Sequence, residues 1–98
     1  MRKQYYFYIM SNYRRTVLYC GITNDLSNRS NQHAAGLGGD FSSTYKVTKL
    51  LYFEAYENPR QAISREKEVK GWKREKKESL IRRMNPGLDD LRPTLVRT

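Results

Sequence analysis

Apolar and polar positions alternate along the chain in runs that define six elements. From Gln4 to Met10 aromatic and β-branched side chains crowd together as in a strand. The polar "SNYRRT" is a turn, and Val17 to Thr23 reads as the returning strand of a hairpin. If the hairpin is symmetric about that turn, Tyr8 faces Tyr19, Met10 faces Val17 and Tyr6 faces Gly21. Two phenols then meet beside a glycine, which leaves room for something to approach.

Thr23 or Asn24 is placed to cap the next helix, with Asp25 in its first turn. On that helix Leu26, Arg29, Ser30 and His33 fall on one face. Such a stripe is ordinarily apolar, so Arg29 and His33 direct a polar pair toward the sheet or its rim. "AAGLGGDFSST" reads as a mobile, glycine-rich connection; it lacks the following Lys-Ser/Thr of a phosphate-binding P-loop. Val47 to Tyr56 holds the run "LLYFEAY", which suits a strand buried on both faces.

Asn58 followed by Pro59 opens a helix that runs through Lys70 to the terminator Gly71, and Gln61 is spaced to complete a capping box. "WKREKKESLIRRM" is a further helix, with Trp72, Leu80, Ile81 and Met84 available for packing. "NPGLDDL" ends it. The pattern predicts one α+β domain over residues 1–91, in the order β-β-α-β-α-α, and a flexible tail over 92–98.

One residue breaks the pattern. On the Pro59–Lys70 helix the apolar positions are Ala62, Ile63 and Val69, and Glu66 sits among them on the face that should pack on the sheet. A carboxylate stripped of water without a partner costs several kcal/mol. It therefore forms a structural ion pair, with Arg65, Lys70 or Arg29, or it serves as a metal ligand or general base. The other candidates each have plain structural readings too. Tyr8 and Tyr19 suit cross-strand packing, His33 a hydrogen bond near a helix end, and Cys20 a small core residue.

Charge changes the picture. The chain has 98 residues and a formal net charge of +9, with 38% hydrophobic and 30% charged residues. Between Arg60 and Arg83 ten Lys and Arg face four Glu, a basic stripe of the kind that meets a polyanion. Lys67, Lys70, Lys73, Arg74, Lys76 and Lys77 are the candidate nucleic-acid contacts. No apolar run reaches membrane-spanning length, and "MRKQYYFYIM" is too short and aromatic for a signal peptide. A single cysteine allows no internal disulfide and no Cys/His cluster has zinc spacing, so a reduced compartment, the cytoplasm, is the default.

Tyr8, Tyr19, Arg29, His33 and Glu66 together carry groups that phosphodiester hydrolysis needs: a ligand for a divalent ion, a proton acceptor for water and a cation against phosphate charge. At this point the chain resembles the GIY-YIG endonuclease superfamily, in particular its small single-domain bacterial group. Tyr6-Phe7-Tyr8 corresponds to the first signature tripeptide and Tyr19-Cys20-Gly21 to the second. Arg29 and His33 match the helix arginine and a frequent histidine. "SREKEVKGWKREKK" resembles the segment with the metal-binding glutamate, here Glu66, and "MNPGLDDL" resembles the group's ending, with Asn85 at a commonly functional asparagine. Tyr6 in place of the first glycine and Cys20 in place of an aliphatic residue depart from the pattern at backbone and packing positions.

The resemblance implies a three-stranded antiparallel sheet flanked by helices and one-metal hydrolysis of DNA. Glu66 would hold Mg²⁺ or Mn²⁺ largely through waters. Tyr8 would take the proton from the attacking water, its pKa lowered by the metal and Arg29, while Tyr19 would hydrogen-bond the phosphate. Arg29 would neutralise transition-state charge and His33 would orient the groups, with Gly21, Tyr45 and Asn85 in support. Cutting would be structure-selective or weakly specific, since the chain carries no separate targeting domain. RNA stays open beside DNA, no membrane is involved, and the residues leave the oligomeric state open, a monomer being one option. The alternative is a catalytically idle nucleic-acid-binding module of the same fold.

Overall fold

The computed structural model describes residues 3–95, apart from the Ser42 side chain. Strands β1 (Tyr5–Ser11), β2 (Leu18–Thr23) and β3 (Lys49–Tyr56) form an antiparallel sheet in the order β2-β1-β3. Helices α1 (Leu26–Ala34), α2 (Asp40–Tyr45), α3 (Pro59–Lys70) and α4 (Arg74–Met84) complete the α+β fold. Alternation along β1, buried from Phe7 onward, sends Phe7 and Ile9 to one face, where Val69 of α3 and Leu80 and Ile81 of α4 cover them. Tyr8 and Met10 go to the other face, against Leu26 of α1.

The hairpin register differs from the symmetric expectation by two residues. Tyr8 pairs with Gly21 and Met10 with Tyr19. The cause is the connection between the strands. The Asn12 side chain accepts from Val17 N at 3.0 Å and donates to Thr16 Oγ1 at 2.7 Å, and Arg15 turns the chain at φ 59°. This asparagine-centred loop starts β2 one residue later than Val17. Because the slip is even, Tyr19 stays on the same face as Tyr8, now diagonal to it.

Strand β3 lies at an edge of the sheet, and its Leu50–Tyr52 stretch is buried toward both faces as the apolar run suggests. Two devices provide this burial. A bulge leaves Leu51 without a partner between the pairs Ile9–Tyr52 and Met10–Leu50, so Leu51 and Tyr52 join the same cluster while Leu50 joins the other. The C-terminal segment then covers the outer edge: Leu91 N donates to Leu50 O at 2.7 Å and Leu50 N to Asp90 Oδ1 at 3.1 Å. Of the segment expected as a tail, Arg92–Thr94 form a 3-10 turn and Leu95 packs against the Tyr8 cluster; residues 96–98 lie outside the described residues.

Local sequence sets the helices. Asp25, not Thr23 or Asn24, caps α1 by accepting from Asn28 N at 3.1 Å, because Thr23 Oγ1 is engaged with Asp25 N. The connection expected to be irregular contains α2, short and polar except for Phe41 and Tyr45. Asn58 caps α3 through Arg60 N at 2.7 Å. On α3 Ala62 and Val69 are buried, whereas Ile63 is exposed, as is Met84 on α4; both lie at the margin of a stripe whose centre already fills the core. Among the described residues no helix is long and apolar enough to cross a membrane.

Candidate active site

A groove of about 650 Å³ follows the unpaired edge of β2. Tyr8 of β1, Tyr19 and Gly21 of β2, Arg29 of α1 and Glu66 of α3 all line it, with Phe41, Lys70 and Lys77. The tyrosines belong to the α1 side of the sheet and Glu66 to a helix on the other side, so the groove brings the two sides together across β2. Gly21 makes this possible. The Tyr8 ring lies over the space a side chain would take: a Cβ at residue 21 would stand 2.5 Å from Tyr8 Oη and 2.6 Å from Cζ. The room beside the glycine is thus occupied by Tyr8 itself, which carries its hydroxyl toward the edge.

Behind the groove His33 is 1% exposed and its Nε2 shares a 2.9 Å hydrogen bond with Tyr8 Oη. Burial, and after it the charge of Arg29, lowers the imidazole pKa to about 4, so His33 is neutral near pH 7. Its Nδ1 has no partner among the described residues. A bare buried lone pair is less costly than an unsatisfied N–H, which assigns the proton to Nε2. Nε2–H then donates to Tyr8 Oη, and the phenol's own hydrogen is free to point elsewhere.

Burial acts on Tyr8 more strongly than Arg29, which acts in the expected direction. Burial raises the phenol's pKa to about 12; the Arg29 guanidinium lowers it and nearby Tyr19 adds to the rise, but burial prevails. Arg29 by itself does not activate this phenol. The guanidinium also braces the loop before α2, donating to Gln32 Oε1 at 3.2 Å and to Gly38 O at 3.3 Å. Tyr19 lies against His33 and Phe41, with ring centroids 4.9 and 5.5 Å away. Phe41 continues to Tyr45 at 4.7 Å, so Tyr45 ends an aromatic row without lining the groove.

Glu66 is half-buried, its side chain 19% exposed, and its Oε2 lies 3.5 Å from Lys70 Nζ. Of the ion-pair partners considered, Lys70 is therefore the one found. Lys70 is 67% exposed, and an exposed pair of this kind contributes about 0–1 kcal/mol, a weak competitor for the carboxylate. Arg65 turns the other way. It donates to Glu54 at 3.0 and 3.1 Å and to Glu68 at 2.8 Å, while Tyr52 and Tyr56 each donate to Glu54 at 2.5 Å. Burial alone would raise the Glu54 pKa; the donated hydrogen bonds outweigh it and hold the carboxyl below its ordinary range. This cluster fixes α3 on β3, leaving the next residue, Glu66, directed at the groove.

The remaining sequence candidates lie elsewhere. Asn85 is buried, donates to Leu51 O at 3.1 Å and Asp89 O at 2.7 Å, and accepts from Asp89 N, which fastens the C-terminal turn to β3. Of the basic stripe, Lys70 and Lys77 reach the groove. Arg74 instead donates to Thr16 O at 2.9 Å, to Arg15 O and to Glu78, and Lys76 sits 4.1 Å from the Trp72 ring centre. Lys67 and Lys73 are exposed and do not line the groove. A 3.6-residue helical period spreads such a stripe around two helices rather than along one face. Phe41 was missed: a lone aromatic in a glycine-rich stretch gives no periodic signal.

The fold and this groove define a member of the GIY-YIG nuclease family. A family model of the GIY-YIG catalytic domain matches residues 4–79, and the chain belongs to that family. Its relatives include small proteins designated UPF0213. The chain is 32% identical to one from Bacillus pumilus over 83 residues, 85% of this chain and 84% of the relative. It is 38% identical to one from Haloquadratum walsbyi over 63 residues, 64% of this chain and 71% of that one. The solution NMR structure of the UPF0213 protein BH0048 from Bacillus halodurans superposes with a TM-score of 0.57 at 27% identity, covering 97% of this chain and 99% of that one.

Proposed function

We propose that this protein is a metal-dependent endonuclease that hydrolyses phosphodiester bonds in DNA, with structure-selective or weak sequence preference. The observation that carries the reading is that Tyr8, Tyr19, Arg29 and Glu66, drawn from four separate elements, line one open groove with Lys70 and Lys77. The donor set suits a hard cation. Among the described residues no three His, Cys, Asp or Glu cluster as a closed metal cage. A single accessible carboxylate matches Mg²⁺ or Mn²⁺, which keep most of their waters and take one or two carboxylates plus substrate phosphates. Glu66 would hold that ion, and its affinity would depend on nucleic acid being present.

Once bound, such an ion supplies Lewis-acid stabilisation of the leaving 3′ oxygen and favours ionisation of a neighbouring phenol. The chain's own groups do the rest. Arg29 neutralises charge that builds on the phosphate, and Tyr19 donates a hydrogen bond to a phosphate oxygen. Tyr8 takes the proton of the attacking water at Oη, and His33 Nε2–H holds that oxygen in place and stabilises its anion. Burial opposes ionisation of Tyr8, so the reaction relies on the ion and on Arg29 to form the phenolate and is faster in base. The buried, free Cys20 accords with a reducing, cytoplasmic setting.

The rival reading, an idle nucleic-acid binder, draws on the same two observations that slow the enzyme: the Lys70–Glu66 pair and the protonated Tyr8. One experiment separates them. Wild type and Glu66→Ala are compared on labelled duplex, nicked, branched and single-stranded DNA and on RNA, with Mg²⁺, Mn²⁺ or EDTA. Binding that survives the substitution while metal-dependent cutting disappears supports the enzyme. Binding with no cutting by wild type under any metal supports the rival.

A further inference from the structure

Next to the candidate active site lies a second concavity of about 260 Å³, between the β1–β2 turn and α4. Arg14, Arg15, Arg74 and Arg82 line it, with Glu78 as the one acidic residue. Arg74 is committed to Glu78 and to the backbone of the turn, so that pair is neutral and structural. The side chains of Arg14, Arg15 and Arg82 make no ion pair or hydrogen bond among the described residues. Three exposed, unpaired guanidiniums held around one depression repel one another, and nothing in the fold needs that arrangement. Leu51, Ile81 and Leu88 line it as well, so the exposed guanidiniums ring a depression with apolar residues among its walls.

Leu18 lines both this concavity and the groove of Tyr8 and Glu66. The two depressions therefore adjoin, and Lys77, one helical turn after Arg74, faces the first while Arg74 faces the second. We infer that Arg14, Arg15 and Arg82 form a backbone-binding subsite that grips the sugar–phosphate chain of nucleic acid beyond the scissile bond. The partner chemistry is a run of phosphates, which guanidinium forks recognise without reading bases. The subsite rests on the nuclease reading only for the path of the strand from one depression to the next; its binding is independent of cutting.

The test is fluorescence anisotropy with labelled single-stranded and duplex oligonucleotides across a salt series in EDTA. Wild type is compared with Arg14→Gln/Arg15→Asn/Arg82→Gln; asparagine is chosen because residue 15 holds a left-handed backbone. Each phosphate contact contributes about 0.7 to the log–log salt slope on single strands and about 0.9 on duplex. Losing three should reduce the slope by roughly 2 on single strands or roughly 3 on duplex, and the arm showing the drop identifies the form held. The all-lysine triple substitution should restore most of the slope, and Arg82→Gln alone, an exposed helical site that tolerates the change, should lower it by just under one. An unchanged slope on both nucleic acids in the triple and the single variants overturns the subsite. So does a lysine triple, folded by circular dichroism, whose slope matches the neutral triple. Because cutting plays no part, a nuclease reading refuted by the Glu66 experiment would leave this result standing, and the reverse holds too.

Discussion

Substituting Gly21 by alanine isolates the feature that lets the groove exist. In a strand interior glycine is worse than alanine by roughly 0.5–1 kcal/mol, so the change should ordinarily stabilise. Here the added Cβ would stand 2.5 Å from Tyr8 Oη and 2.6 Å from Cζ, where ordinary contact begins near 3.4 Å. Nearly an ångström must be recovered by a ring that is 1% exposed and pinned by the 2.9 Å bond to His33. Overpacking of this size costs about 1–3 kcal/mol, and loss of the buried hydrogen bond adds about 1 kcal/mol. A net destabilisation of roughly 1–3 kcal/mol is therefore expected, opposite in sign to the intrinsic preference. Urea unfolding of the variant reads it directly. The second arm repeats the change in a Tyr8→Leu background, which removes the hydroxyl and Cζ; there Gly21→Ala should be neutral or stabilising. An alanine variant as stable as wild type with Tyr8 intact would refute the packing argument, as would an equal penalty in both backgrounds.

Two further predictions concern titration. The folded state keeps His33 neutral, with a pKa of about 4 against 6.5 ordinarily, so between those values the unfolded chain binds the extra proton. The stabilisation is present above pH 6.5 and is lost as pH falls toward 4, by roughly 3 kcal/mol at about 1.36 kcal/mol per pH unit. His33→Gln should show a flatter stability profile across that window in denaturant titrations, and parallel profiles would argue against a buried neutral imidazole. Burial raises the Tyr8 pKa to about 12 before any ion binds, so single-turnover cutting should rise with pH, by up to about tenfold per unit while the phenol stays protonated. That slope should disappear in any residual activity of Tyr8→Phe; a slope that persists unchanged in Tyr8→Phe would exclude Tyr8 as the base.

Much of this organisation is legible in the chain, and the gaps have physical causes. The span of α3 follows from Asn58-Pro59 at one end and Gly71 at the other, because caps and terminators are local chemistry. Glu66 stands out for the same reason: one carboxylate on an otherwise apolar stripe. The hairpin register is set by side-chain bonds of Asn12 within the turn, which periodicity does not report, so it slips by two while keeping Tyr8 and Tyr19 on one face. The apolar run of β3 signals burial on both faces but not its place at the sheet's edge, where a bulge at Leu51 and a C-terminal cover, both long-range, provide that burial. The pull of Arg29 on Tyr8 is legible from the residue types, whereas the larger, opposing effect of burial is a property of the packed fold. Arg14 and Arg15 sit in a stretch that reads as a plain turn, and only the packing of α4 against it gathers them with Arg82.

In the proposed function Glu66 anchors a hard cation at the groove when a phosphate chain is present. Mn²⁺ titration followed by electron paramagnetic resonance measures it, with nicked DNA bound and with protein alone, in wild type and Glu66→Gln. A protein-dependent Mn²⁺ site should appear that is weak without DNA, tightens with it and is lost in Glu66→Gln. Uptake that is identical in the two proteins, or absent from the wild-type DNA complex, would contradict this role of Glu66.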